Sequence, residues 1–143
     1  MKKLIVTLPL ALAMVAFTVA STAAKMIEVS DMTIVTEKVH GVKFTTGGVG
    51  IGERAAMSKV EKDYNLRLVY AVNSGAYLAH IKTVISKPGG AVLLDMMSNG
   101  PWMFAKLPQG RYKVTATNAD ISKTKEITIG ATSRSVLFHW SAQ

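Results

Sequence analysis

From Asn65 to Trp140 the chain is cut at roughly ten-residue intervals by turn-forming clusters. They are Asn73-Ser74-Gly75, Lys87-Pro88-Gly89-Gly90, Ser98-Asn99-Gly100-Pro101, Pro108-Gln109-Gly110 and Asn118-Ala119-Asp120. Runs this short leave no room for the crossovers that join parallel strands. Within the runs the hydrophobic period is two. Leu66, Leu68, Tyr70 and Val72 alternate with Arg67, Val69 and Ala71, and Tyr112, Val114 and Ala116 alternate with Arg111, Lys113, Thr115 and Thr117. That period belongs to strands buried on one face. Seven strands result: 66–72, 78–86, 91–97, 102–107, 111–118, 121–129 and 133–140. Their number and spacing predict a mainly β chain folded as a sandwich or barrel.

The part before Asn65 reads differently. Lys25 to Thr46 is extended but alternates imperfectly, which suits an N-terminal arm with one or two short strands. Gly47-Gly48-Val49-Gly50-Ile51-Gly52 is a break, and Glu53 to Tyr64 then forms a short helix with Ala56, Val60 and Tyr64 in line and Met57 beside them. The first 24 residues have the three parts of a secretory signal: Met1-Lys2-Lys3, an uncharged run from Leu4 to Val19, and small residues from Ala20 to Ala24. The run is shorter than the roughly 20 apolar residues a membrane-spanning helix needs, and Thr7, Pro9 and Thr18 interrupt it. Cleavage near Ala23 or Ala24 is expected, with a periplasmic or secreted product. Three segments follow: a signal peptide at 1–24, the arm and helix at 25–64, and the sandwich at 65–143. Loss of Lys2 and Lys3 lowers the net charge from +8 to +6.

The absence of cysteine excludes disulfides, Cys-ligated zinc, iron–sulfur clusters and thiol catalysis. Gly50-Ile51-Gly52-Glu53-Arg54-Ala55 matches a dinucleotide-binding fingerprint. That motif needs a parallel βαβ unit with a carboxylate closing the second strand, and the second strand here closes on Asn73-Ser74-Gly75. His40, His80 and His139 lie on separate segments without metal-ligand spacing. Glu53, Glu61 and Asp63 cluster around the helix beside Arg54, Lys59 and Lys62, while Asp95 and Asp120 have no evident mate for acid–base work. Met96, Met97 and Met103 are soft enough to hold copper, but the first two are adjacent in a strand and point to opposite faces. No cofactor is expected.

Arg111 and Lys113 face outward on one strand, and Lys123 and Lys125 belong to its neighbour. Together they would form a basic stripe, read either as a guard against edge-to-edge pairing or as an attractor of an anionic envelope component such as lipopolysaccharide. Nucleic acid is not an expected partner, because no aromatic platform interleaves with the cations. Trp102, next to the Ser98–Pro101 turn, is the candidate contact for an envelope protein.

Leu107-Pro108-Gln109-Gly110-Arg111-Tyr112-Lys113-Val114-Thr115-Ala116 resembles the L-P-x-G-x-Y-x-V-x-A signature of carboxypeptidase regulatory-like domains. The resemblance covers roughly Asn65 to Trp140. It implies a prealbumin-like (transthyretin-like) fold, a seven-stranded antiparallel Greek-key β-sandwich, here with a short N-terminal helix and extended arm. It also implies a module without an active site of its own, similar to small exported proteobacterial proteins. One transthyretin-like branch hydrolyses 5-hydroxyisourate and ends in a Tyr-Arg-Gly-Ser-type sequence; this chain ends Phe138-His139-Trp140-Ser141-Ala142-Gln143. The expected function is that of a non-catalytic periplasmic binding or accessory module acting through protein–protein recognition. Binding of an anionic envelope component is the alternative, and a small hydrolase or metal carrier the remote one.

Overall fold

The computed structural model describes residues 34–142. The signal-peptide reading of 1–24, its cleavage site and the arm through residue 33 lie outside the described residues. Nine strands and one helix follow in order: β1 (Glu37–Val39), β2 (Val42–Gly47), α1 (Ile51–Val60), β3 (Leu66–Val72), β4 (Lys82–Ser86), β5 (Val92–Met97), β6 (Trp102–Lys106), β7 (Gly110–Asn118), β8 (Ile121–Ile129) and β9 (Arg134–Trp140). They make two sheets, ordered β1-β2-β6-β3-β9 and β5-β4-β7-β8. All pairings are antiparallel except β3 with β9.

The seven strands expected after Asn65 are β3 to β9. The arm contributes two more, β1 and β2, within the one or two short strands expected of it. These strands form a hairpin that pairs with β6, so Phe44 lies opposite Ala105 and Thr45 opposite Phe104. Val42 and Phe44 thereby enter the core between the sheets. The strand expected at 78–86 begins only at Lys82. His80 adopts a left-handed backbone conformation (φ 57°) that turns the chain before the ladder starts. The helix begins two residues early and ends at Val60, where a 3₁₀ turn, Glu61–Asp63, leads to Tyr64.

Alternation decides which side chains meet between the sheets. Leu66, Leu68, Tyr70, Val136, Phe138 and Trp140 of one sheet pack on Ile85, Tyr112, Val114, Ala116 and Ile127 of the other. Removing such side chains from water is the main stabilising contribution, roughly 1.5–3 kcal/mol for each large one. The opposite face of β6 is also covered. Its outward residues Trp102 and Phe104 join Met57 of α1 and Tyr64 in a second apolar cluster, so the helix is a third layer over the five-stranded sheet.

The glycine break is a tight joint. A Cβ on Gly100 would collide with the Gly47 carbonyl, and one on Gly48 would press on the Trp102 ring. Arg54 Nη1 donates to the Gly48 carbonyl at 2.8 Å, and the Val49 amide donates to Glu53 Oε2 at 3.0 Å. The Glu53 carboxylate thus occupies the start of α1, where a nucleotide phosphate would sit.

Candidate anion-binding cleft

The connections collect at the two ends of the sandwich, and one end is hollow. Three turns surround a cleft of about 490 Å³: β1–β2 with His40 and Gly41, β4–β5 with Lys87 and Pro88, and β6–β7 with Pro108 and Gln109. Val42, Leu93 and Tyr112 contribute its apolar wall, and Gly110 and Arg111 complete it at the start of β7.

Local sequence explains each wall. His40 and Gly41 both have positive φ (48° and 79°), the requirement of a two-residue hairpin turn whose twist suits antiparallel strands. That turn carries the imidazole to the other sheet, where Nδ1 lies 3.2 Å from the Leu93 carbonyl oxygen. A carbonyl only accepts, so Nδ1 carries the proton and Nε2 is the free basic atom. The Lys87 amide donates to the Ala91 carbonyl and the Gly90 amide to the Lys87 carbonyl, both at 2.9 Å, closing the second turn. In the third, the Tyr112 hydroxyl donates to the Pro108 carbonyl at 2.6 Å. Burial pushes the Tyr112 hydroxyl above its ordinary pKa, so the phenol remains neutral. Gly110 has φ 154°, a conformation that penalises a β-carbon.

The electrostatics have one sign. Lys87 and Arg111 line the cleft with His40, and among the described residues no carboxylate does. Glu126 lies just outside, in an adjoining notch of about 70 Å³ shared by Pro88, Arg111, Tyr112 and Lys113. Its carboxylate is 3.9 Å from Arg111 Nη2, but both side chains are more than 70% exposed. Such a pair is worth at most about 1 kcal/mol, so Arg111 is readily available to a ligand.

The residues expected to form a stripe do not share a face. Lys113 lies opposite Glu126 on the outer surface, with Arg111 on the same side. Lys125 lies opposite Val114 and Lys123 opposite Ala116, whose side chains point inward. Lys125 bends across to β9, donating to the Leu137 carbonyl at 2.7 Å with its ammonium 5.3 Å from the Phe138 ring centroid. The stripe is therefore split, and only Arg111 of its four cations reaches the cleft.

Trp102 is not an exposed contact either. It is 7% exposed in β6 beneath α1, with the Arg67 guanidinium 4.3 Å from its ring centroid and the Phe104 ring stacked at 6.1 Å. Arg67 in turn bonds Glu61 at 3.2 Å. His40, Lys87 and Gln109 were not singled out from sequence as a group. The available signal covered only Lys87 and Gln109, whose turn clusters are separated by two strands, β5 and β6, and so return to one end; His40 lies in no such cluster, and α1 carries the chain back between β2 and β3.

The other candidates separate. Met103 is buried in the five-stranded sheet, whereas Met97 is exposed at the end of β5. Among the described residues no three His, Cys, Asp or Glu side chains gather as a metal site, and no helix is long and apolar enough to cross a membrane.

No family model matches the chain, and no curated protein does. A solved structure similar to it is the 5-hydroxyisourate hydrolase of Klebsiella pneumoniae, at 16% identity and a TM-score of 0.44, the match covering 53% of this chain and 88% of that one.

Proposed function

We propose that this protein is an exported, non-catalytic binding module of the transthyretin-like kind, and that its ligand is an anion held in the end cleft. The reading of 1–24 as a signal peptide supports export to the periplasm or beyond. The Leu107–Ala116 signature supports the kinship. One observation carries the choice of ligand: Lys87, Arg111 and His40 line a cleft of about 490 Å³ to which, among the described residues, no carboxylate contributes. Pockets of this size suit small molecules, and a few placed polar groups set their specificity. Tyr112 supports a non-catalytic role, since its neutral hydroxyl is already committed to the Pro108 carbonyl.

The test is an NMR titration of the mature chain with acids (inorganic phosphate, a sugar phosphate, simple carboxylates) and with the amide of each carboxylate. Amide resonances of His40, Lys87 and Arg111 are expected to move with acids and not with amides. Equal responses to both, or movements confined to other residues, would overturn the reading.

Recognition of an envelope protein keeps one feature in its favour. At the opposite end of the sandwich, Val49, Ile51 and Tyr77 of the joint, α1 and the β3–β4 connection are each at least half exposed. A photocrosslinker at Ile51 that captures one defined envelope protein, with the acids inert in the titration, would favour that reading.

A further inference from the structure

Resting on the anion-cleft reading, we infer that the ligand is a small amphipathic acid: an apolar body up to about two fused rings in size, ending in a single acidic head. The cleft is built in two chemically different parts. Val42, Pro88, Leu93 and the Tyr112 ring give its wall an apolar character, far more than a hydrated inorganic anion requires. The charged groups come from three separate turns or strand starts, so the head is met from several directions while the body lies against both sheets. A free phosphate or sulfate would leave that apolar wall in contact with water. A neutral hydrocarbon would leave Lys87 and Arg111 to be desolvated without a partner, which is costly.

His40 is the third arm. Its Nδ1 donates to the Leu93 carbonyl of β5, which leaves Nε2 as the ring nitrogen available to the head. Across the cleft from it are Lys87 from the β4–β5 turn, Gln109 from the β6–β7 turn, and Arg111 and Tyr112 from β7.

The probe is 1-anilinonaphthalene-8-sulfonate, whose sulfonate is ionised in neutral buffer. N-phenyl-1-naphthylamine supplies the same body without the head, and sulfate supplies a head without the body. Fluorescence titration of the mature chain is expected to give sulfonate-dye binding at least about tenfold tighter than that of the neutral dye. Sulfate should displace the dye only at far higher concentration. Arg111→Gln should weaken the dye about tenfold, with thermal unfolding confirming that the variant folds. Equal affinity for the two dyes would overturn the anion reading and this inference with it. Sulfate competing as strongly as the dye would overturn the amphipathic ligand while leaving the anion reading intact. Dye affinity unchanged in Arg111→Gln would overturn the placement of the acidic head at the start of β7.

Discussion

Tyr70 is the residue on which the two sheets are most directly tied. Its ring stacks near Phe138 and Trp140, and its hydroxyl lies 2.6 Å from Thr83 Oγ1 on β4 of the other sheet. Burial pushes the phenol far above its ordinary pKa, and the Thr83 bond offsets a part of that rise. The folded-state value is thus above the unfolded one. The stability linked to this proton is complete below about pH 10, the ordinary tyrosine value, and is lost as pH climbs beyond it. Tyr70→Phe should cost about 1 kcal/mol at pH 7 yet lose less stability than the wild type between pH 9 and 11. Urea unfolding at several pH values checks both, and parallel decline of the two proteins would show that Tyr70 does not titrate on unfolding. The inward position of Tyr70 was legible from alternation alone, but its partner was not, since Thr83 became visible only when the sheets faced each other. The basic stripe failed at this same scale for a reason present in the sequence. Lys123 and Lys125 have the parity of Ile127 and Ile129, which are buried, so they never shared a face with Arg111 and Lys113. Trp102 misled for another reason. It sits beside a turn, which predicts exposure, but α1 from an earlier part of the chain covers it.

At the scale of elements, β3 to β9 fall within a few residues of their expected positions because Gly, Pro and Asn mark nearly every boundary. In the arm, the one or two short strands expected are β1 and β2; what alternation did not show is that β2 is covered on both faces, with Val42 and Phe44 in the inter-sheet core and Thr45 buried on the side of α1. Thr45 resolves its polar burial by donating to the Val35 carbonyl at 2.7 Å. The period of two survives in β2 because the residue buried on its second face is a threonine. Phe44→Ala should therefore destabilise the whole fold by about 3–5 kcal/mol, the usual cost of deleting a core aromatic ring. A change below about 1 kcal/mol in urea unfolding would mean that the arm is detachable. Free strand edges are managed by side chains. His40 holds the Leu93 carbonyl of β5, Lys125 the Leu137 carbonyl of β9, and the Trp140 indole the Ile121 carbonyl of β8 at 3.0 Å. A carbonyl held in this way is not free to accept from an incoming strand.

For the molecule as a whole, the question is whether three layers act as one body without any disulfide. Strand β6 is the shared wall: Met103 and Ala105 face the inter-sheet core, Trp102 and Phe104 the cluster under α1. Asn65 pins the same region. Its side chain donates to the Leu107 carbonyl at 2.7 Å and accepts from the Leu107 amide at 2.9 Å, while its backbone joins β6 and β9. A layer that shares a strand with the core cannot leave without exposing half of that strand, so the helix and the sandwich should unfold together. The two tryptophans report the two layers separately, Trp102 the helix side and Trp140 the inter-sheet core. In Trp140→Phe the fluorescence follows only Trp102, and in Trp102→Phe only Trp140. In each variant the urea transition seen by the remaining tryptophan should coincide with that seen by far-ultraviolet circular dichroism. A Trp102 transition that precedes the loss of β-structure in Trp140→Phe would show that α1 lifts off first. The end cleft lies on the sandwich, away from that joint, so its three turns stay in place as long as the sheets do.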